Sequence, residues 1–318
     1  MLFRVLGNRL APAGERGRLI VLAYHRVLPV ADPLLPGLID ARGFEAHMAM
    51  LADAFNVLPL GDACQRLSRG SLPARAVCIT FDDGYADNEE IALPILRRRA
   101  LPATFFVATM FSRGGVMFND RVIEALRHAA PGRHDLSTLG LPSVELNGSE
   151  SRAQAVDALL PALMHRPFLE RAALVEELAV TLRAPQPVKL MMTPEQIENL
   201  HRQGMEIGAH TVRHPILAAI PEDEARSEII ESKRNLEEIT GAPVTLFAYP
   251  NGRPGRDYDE RHVRLVREAG FSAALSTIPG VAHRSSDLFQ LPRLGPWERN
   301  ANRLALRLLA TCARTAAA

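Results

Sequence analysis

Short apolar runs alternate with helix-like segments along this chain, and that alternation leaves few folds open. The runs are Leu19 to Val27, Ala76 to Phe81, Ala103 to Ala108, Glu206 to Ala209, Val244 to Tyr249, Ser272 to Ser276 and Gln290 to Leu294. They are rich in branched and aromatic residues and end in polar, Gly or Pro signals, which reads as buried strands. Helical spacing is found in Phe44 to Ala54, Asn88 to Arg99, Thr193 to Gln203, Pro221 to Thr240 and Asp259 to Ala269. Thr193 followed by Pro194 is a helix start, and Gly204 and Gly241 are C-terminal stops. Strand, helix, strand at this rhythm predicts a parallel sheet with crossover helices. Seven strands suit a closed or nearly closed barrel, whose site lies at the C-terminal strand ends.

The rhythm breaks over residues 112–188, expected as a mostly helical insertion after the third strand, able to form a lid or a wall of a substrate groove. The expected organisation is an N-terminal extension over 1–18, a catalytic domain over 19–296 that contains the insertion, and a C-terminal helix over 297–318.

Composition removes several function classes. With 37 basic and 36 acidic residues, the formal net charge of +1 gives no basic excess for nucleic acid. Cys64, Cys78 and Cys312 are odd in number and match no zinc-ribbon spacing, so no disulfide framework is expected. The first ten residues are interrupted by Arg4 and Arg9 and do not read as a secretory signal, and no apolar run is long enough to span a bilayer. The expectation is a cytoplasmic protein, with nothing calling for a protein partner. Arg299, Arg303 and Arg307 share one helical face, with Leu304 and Leu308 on another. That pattern allows weak peripheral contact with an anionic membrane, although such helices more often pack on their own domain.

Two constellations carry chemistry. Thr80-Phe81-Asp82-Asp83-Gly84-Tyr85 places two carboxylates at a strand end. Like charges this close need compensation, for which a divalent cation is the simplest source. On its own the pair reads first as a surface turn with a helix cap. His210 and His214, four apart in Gly208-Ala209-His210-Thr211-Val212-Arg213-His214-Pro215, fall on one face if the segment turns helically. Imidazoles suit zinc, cobalt or nickel. One carboxylate with two imidazoles makes a three-ligand set with room for water, the arrangement of a catalytic metal site.

These motifs resemble the first two motifs of the NodB-homology polysaccharide deacetylases, and Phe247-Ala248-Tyr249-Pro250-Asn251-Gly252 is similar to a third. The resemblance covers about residues 19–111 and 190–296. It implies an α/β fold, a distorted (β/α) barrel of about seven parallel strands, and metal-dependent hydrolysis of acetyl groups on sugar polymers or oligosaccharides. By position it implies Asp82 as catalytic base, Asp83, His210 and His214 as ligands to a divalent ion (zinc first, cobalt or nickel as alternatives), and Tyr249 at the acetyl pocket with its backbone N–H on the oxyanion. A bacterial exopolysaccharide or lipid-linked precursor is the expected substrate by analogy.

The sequence departs from the family pattern twice. Many members carry an arginine where Ala248 stands, so Arg293 is the candidate to orient Asp82 from the last strand. The usual C-terminal histidine acid has no clear equivalent. His25 in Tyr24-His25-Arg26 is the preferred acid, as in members that open with a similar Tyr-His, and His283 is the alternative. Two rival functions stay open: a sugar-binding relative without activity, and a metal amidohydrolase acting on a small non-sugar amide.

Overall fold

In the computed structural model, which describes residues 7–186 and 189–317, seven parallel strands form a nearly closed barrel. They are β1 (Leu19–Tyr24), β2 (Ala76–Phe81), β3 (Thr104–Val107), β4 (Glu206–Ala209), β5 (Leu246–Ala248), β6 (Ala273–Pro279) and β7 (Leu291–Arg293). The order around the sheet is β1-β2-β3-β4-β5-β6-β7, and each neighbouring pair is parallel. Leu294, just past β7, closes the ring: its N–H donates to the Val21 carbonyl and its carbonyl accepts from Ala23 N–H. The barrel is irregular on one side. A two-residue strand, Asn56–Val57, pairs with the start of β2, whereas β3 pairs with its end.

Burial on both faces explains the uninterrupted apolar runs. Alternate residues point inward, as the period of two requires. Leu19, Val21, Ala76, Cys78, Phe106, Leu246, Ala248, Leu275 and Leu291 form one cluster, and Ile20, Leu22, Val77, Ile79, Phe81, Phe105, Ile207 and Phe247 face the surrounding helices in another. Gly208 is required by the fill: a Cβ there would come within 2.4 Å of the Phe106 ring. Leu60, Ala63, Cys64 and Leu67 of helix Leu60–Arg69 join the inward cluster. That helix has no counterpart among the helical segments legible in the sequence.

Several local expectations are met in atomic detail. Helix Pro194–Arg202 begins with a capping box between Thr193 and Gln196, with Pro194 in its first turn. Helix Glu222–Thr240 ends on Gly241 at φ 66°. The helix expected over Asn88 to Arg99 instead opens as a wider turn over Asn88–Ala92 before continuing as Leu93–Arg98.

The C-terminal helix, Ala301–Ala317, buries Leu304, Ala305, Leu308, Leu309 and Cys312 in the outer cluster of the barrel. The basic face expected on it is altered in two ways: Arg299 precedes the helix, and Arg307 turns back to pair with Glu298. Among the described residues, no helix is long and apolar enough to cross a membrane. Residues 1–6 of the N-terminal extension lie outside the described residues.

A second compact unit comprises Ala31–Leu38 and Gly114–Met191. Helices Phe118–His128, Ser149–Met164 and Phe168–Thr181, with a two-stranded antiparallel hairpin (Arg133–His134 and Val144–Glu145), enclose their own core around Val122, Leu126, Leu136, Leu159, Leu163 and Leu178. Ala31–Leu38 belongs here because Leu34 enters that core and Asp32 pairs with Arg127 at 2.6 Å.

Candidate active site

The site is built where β2 and β4 end. Asp82 continues the inward row Ala76, Cys78, Thr80, and its N–H extends the ladder to the Tyr24 carbonyl. Asp83 then takes φ 75°, a left-handed conformation that costs a non-glycine residue about 1–2 kcal/mol. This break in the alternation lets both carboxylates face one place instead of opposite faces of the strand. Its carbonyl accepts from Ala108 N–H, so the turn is tied to the end of β3.

His210 follows β4, in the same inward row as Gly208. Its Nδ1 lies 2.7 Å from the Ala248 carbonyl. A carbonyl can only accept, so Nδ1 carries a proton, and in the neutral ring Nε2 keeps the lone pair that a ligand needs. That Nε2 lies 3.6 Å from Asp83 Oδ1, and His214 Nε2 lies 3.4 Å from the same oxygen. The ligand atoms of Asp83, His210 and His214 all fall within 4.8 Å of one another. Two donors about 2.1 Å from one ion at a tetrahedral angle are about 3.4 Å apart, so the donor set fits a divalent ion. Burial pulls the His214 pKa down to about 4, with His210 adding to the effect and Asp83 opposing it. Its imidazole is therefore neutral near pH 7, as a ligand must be.

Arg293 reaches Asp82 from β7. Its Nη1 donates to Asp82 Oδ1 at 2.7 Å and its Nε to the Ser276 carbonyl at 2.9 Å, and both side chains of the pair are buried. Burial by itself would raise the Asp82 pKa. The Arg293 guanidinium, joined by His210 and His25, more than offsets it and holds the carboxyl well below the usual range. Asp82 is thus an ionised acceptor at neutral pH.

His25 lies just beyond β1 and is exposed. It interacts electrostatically with both Asp82 and His214, which puts it on the same rim. Its carbonyl accepts from Asn88 Nδ2 at 2.8 Å, and the next two residues are held by Asp87, through Arg26 Nε at 2.8 Å and Val27 N–H at 3.1 Å. His283 is at the other end of the barrel. Its neighbour Ala282 pairs with Leu19, the first residue of β1, and its ring contacts Ser285. It does not join the site.

The oxyanion role expected for Tyr249 is corrected by the geometry. Its N–H is committed to the Leu275 carbonyl in the β5–β6 ladder at 3.1 Å. Its ring is fully buried, stacks on Tyr258 with centroids 3.8 Å apart, and its hydroxyl donates to the Phe289 carbonyl. The signal was present: Tyr249 lies two residues after Phe247 and shares its outward face.

Sequence reasoning missed Glu228. This buried carboxylate of helix Glu222–Thr240 accepts Val212 N–H and Arg213 N–H, each at 2.8 Å, and pairs with Arg213 Nε at 2.5 Å. Arg213 also reaches Glu224 at 2.6 Å. Within the turn, Thr211 Oγ1 accepts His214 N–H. These bonds hold Thr211 at φ 65° and His214 at φ 56°, conformations that persist only when their surroundings over-determine them.

Comparison with known proteins decides the family. The polysaccharide deacetylase family model matches residues 69–135 and 162–274, more than half of the chain. The chain belongs to the polysaccharide deacetylase family. It is 23% identical over 279 residues to YxkH of Bacillus subtilis (strain 168), a protein assigned to the polysaccharide deacetylases, covering 87% of this chain and 71% of that one. The fold is shared with the Streptococcus pyogenes deacetylase PplD, solved in complex with acetate, at a TM-score of 0.64 and 19% identity, covering 93% of this chain and 99% of that one. It is shared also with IcaB from Ammonifex degensii, at 0.57 and 20%, covering 93% and 98%.

Proposed function

We propose that this deacetylase is a metal-dependent hydrolase that removes acetyl groups from N-acetylated sugar residues of a polysaccharide or oligosaccharide. The observation that carries the reading is the convergence of Asp83, His210 and His214 beside an Asp82 kept ionised by Arg293. Those three side chains would hold the cation, and their imidazole-rich donor set suits zinc, with cobalt or nickel as substitutes. A bound divalent ion would supply Lewis acidity, lowering the pKa of water and polarising the acetyl carbonyl.

The chain's own groups do the rest. Asp82 takes a proton from the attacking water, and Arg293 orients its carboxylate toward that task. Ala248, through its carbonyl, and Glu228, through the backbone of the histidine turn, keep both imidazoles aimed. Water oxygen bonds to the acetyl carbon, the carbon–nitrogen bond breaks, and His25 donates a proton to the departing amine. The products are acetate and a free amino sugar.

The test is metal analysis of the purified protein alongside acetate release from a panel of acetylated glycans. Asp82→Asn should retain metal and lose activity by about 100-fold or more, the range for a general base. Wild-type rates in that variant would remove Asp82 from the base role. Absence of acetate release from every glycan in the metal-loaded wild type would overturn the reading as a whole.

A further inference from the structure

The last stave ends on Arg293, which touches Asp82, and four residues later the chain presents Trp297, its single tryptophan. The indole is 71% exposed. A large aromatic side chain left in water four residues past a residue of the site is informative where an exposed aliphatic residue elsewhere is not. Four residues span at most about 14 Å, so the ring lies within reach of a short oligosaccharide whose reacting residue sits at Asp82.

This indole is not on a loose loop. Its underside lies on Gly295, where a Cβ would meet ring atoms Cε2 and Cζ2 at 2.4 Å. Pro296 restricts the backbone between them. Arg307, from helix Ala301–Ala317, clamps the turn on both sides, donating to the Gly295 carbonyl and pairing with both carboxylate oxygens of Glu298. A turn constrained in three ways thus holds an aromatic face open to solvent. Such pre-organisation lowers the entropy lost on binding, and a rigid indole offers large contact area with few rotatable bonds.

We propose that Trp297 is a stacking platform for a sugar ring next to the reacting residue, so that the protein reads a polymer and not a single acetylated sugar. The proposal rests on the deacetylase reading and deepens it. A pyranose ring has an apolar C–H face that matches the indole and a hydroxyl edge that needs polar neighbours. Exposed polar residues follow Trp297 at Arg299, Asn302 and Arg303.

The single tryptophan makes the test direct. Metal-loaded Asp82→Asn protein is titrated with N-acetylglucosamine, its β-linked oligomers and a panel of other acetylated oligosaccharides, and indole fluorescence is followed. A saturable shift is expected with oligomers of at least one glycan and not with its monosaccharide. In the active protein, Trp297→Ala should raise KM for that oligomer about tenfold with kcat held within about twofold, and Trp297→Phe should recover part of the loss. No shift with any glycan, or an unchanged KM in Trp297→Ala, overturns the platform. A shift with anionic vesicles but with no glycan overturns it in favour of a membrane contact. A shift without acetate release from the wild type would leave the platform standing and defeat the catalytic reading, so the two failures are separable.

Discussion

Each end of β4's neighbourhood holds a hydrogen-bonded carboxylate, and the two are used in opposite ways. At the base, Glu206 accepts the Leu60 and Gly61 N–H groups at 2.6 and 3.0 Å and the Thr104 hydroxyl at 2.8 Å. It caps helix Leu60–Arg69 from about 145 residues away, where Pro59 provides no side-chain cap. All its donors belong to the scaffold. At the mouth, Asp82 faces a guanidinium and two histidines, and the backbone around it departs from regular strand geometry at Asp83, Thr211 and His214. The base of this barrel concentrates stability and the mouth concentrates chemistry, the division expected of (β/α) barrels. Substitutions at the two ends should therefore separate folding from catalysis.

The largest expected effect is at Arg293. Arg293→Met removes the main opposition to the burial of Asp82, so the Asp82 pKa rises. The acid limb of the kcat/KM profile then moves to higher pH, because protonation of the base begins sooner. Stability should fall by about 3–5 kcal/mol where Asp82 remains charged, the cost of stranding one partner of a buried pair. A pH–rate profile and a denaturant titration check both. An unmoved acid limb would show that Arg293 does not tune the base.

Glu228→Gln comes next. It keeps the shape but weakens two backbone contacts and the Arg213 pair. Metal affinity should drop about 10- to 100-fold, the scale seen for groups that orient metal ligands. Competition with a chelator measures this without reference to turnover. Glu206→Ala should cost about 1–2 kcal/mol in unfolding free energy, a lost cap plus unsatisfied N–H groups, while kcat and metal content stay unchanged. An Ala variant with normal stability and poor kcat would invert the contrast between the two ends.

The smallest effect concerns the thiols. Burial pushes Cys64 up to about 12 and Cys312 up to about 11, and raises Cys78 as well. All three remain protonated at pH 8, and thiolate is the reactive form. Alkylation by iodoacetamide at that pH should be negligible in the folded protein and reach three thiols per chain on unfolding.

Much of the architecture is local information. The staves β2 and β4 run over the residues that their apolar runs marked, since a strand buried on both faces must be apolar along its length. Asp82, Asp83, His210 and His214 stood out because carboxylates and imidazoles at strand ends are the residue types from which metal sites are built. The helix Leu60–Arg69 was less visible, because its apolar face is short and its cap comes from Glu206, far along the chain.

Closure of the barrel decided the remainder. Arg293 meets Asp82 across 211 residues, and Glu228 holds the non-helical histidine turn from helix Glu222–Thr240. No spacing rule encodes such pairs, because a side chain's partner at that separation depends on which strands become neighbours. Tyr249 shows the same limit from the other side. Its motif position suggested the pocket, whereas the period of two sends its ring outward and the ladder consumes its N–H. Residue chemistry and periodicity are properties of a short stretch, so they can be read directly. Pairing, burial and the partner of each charge belong to the closed fold.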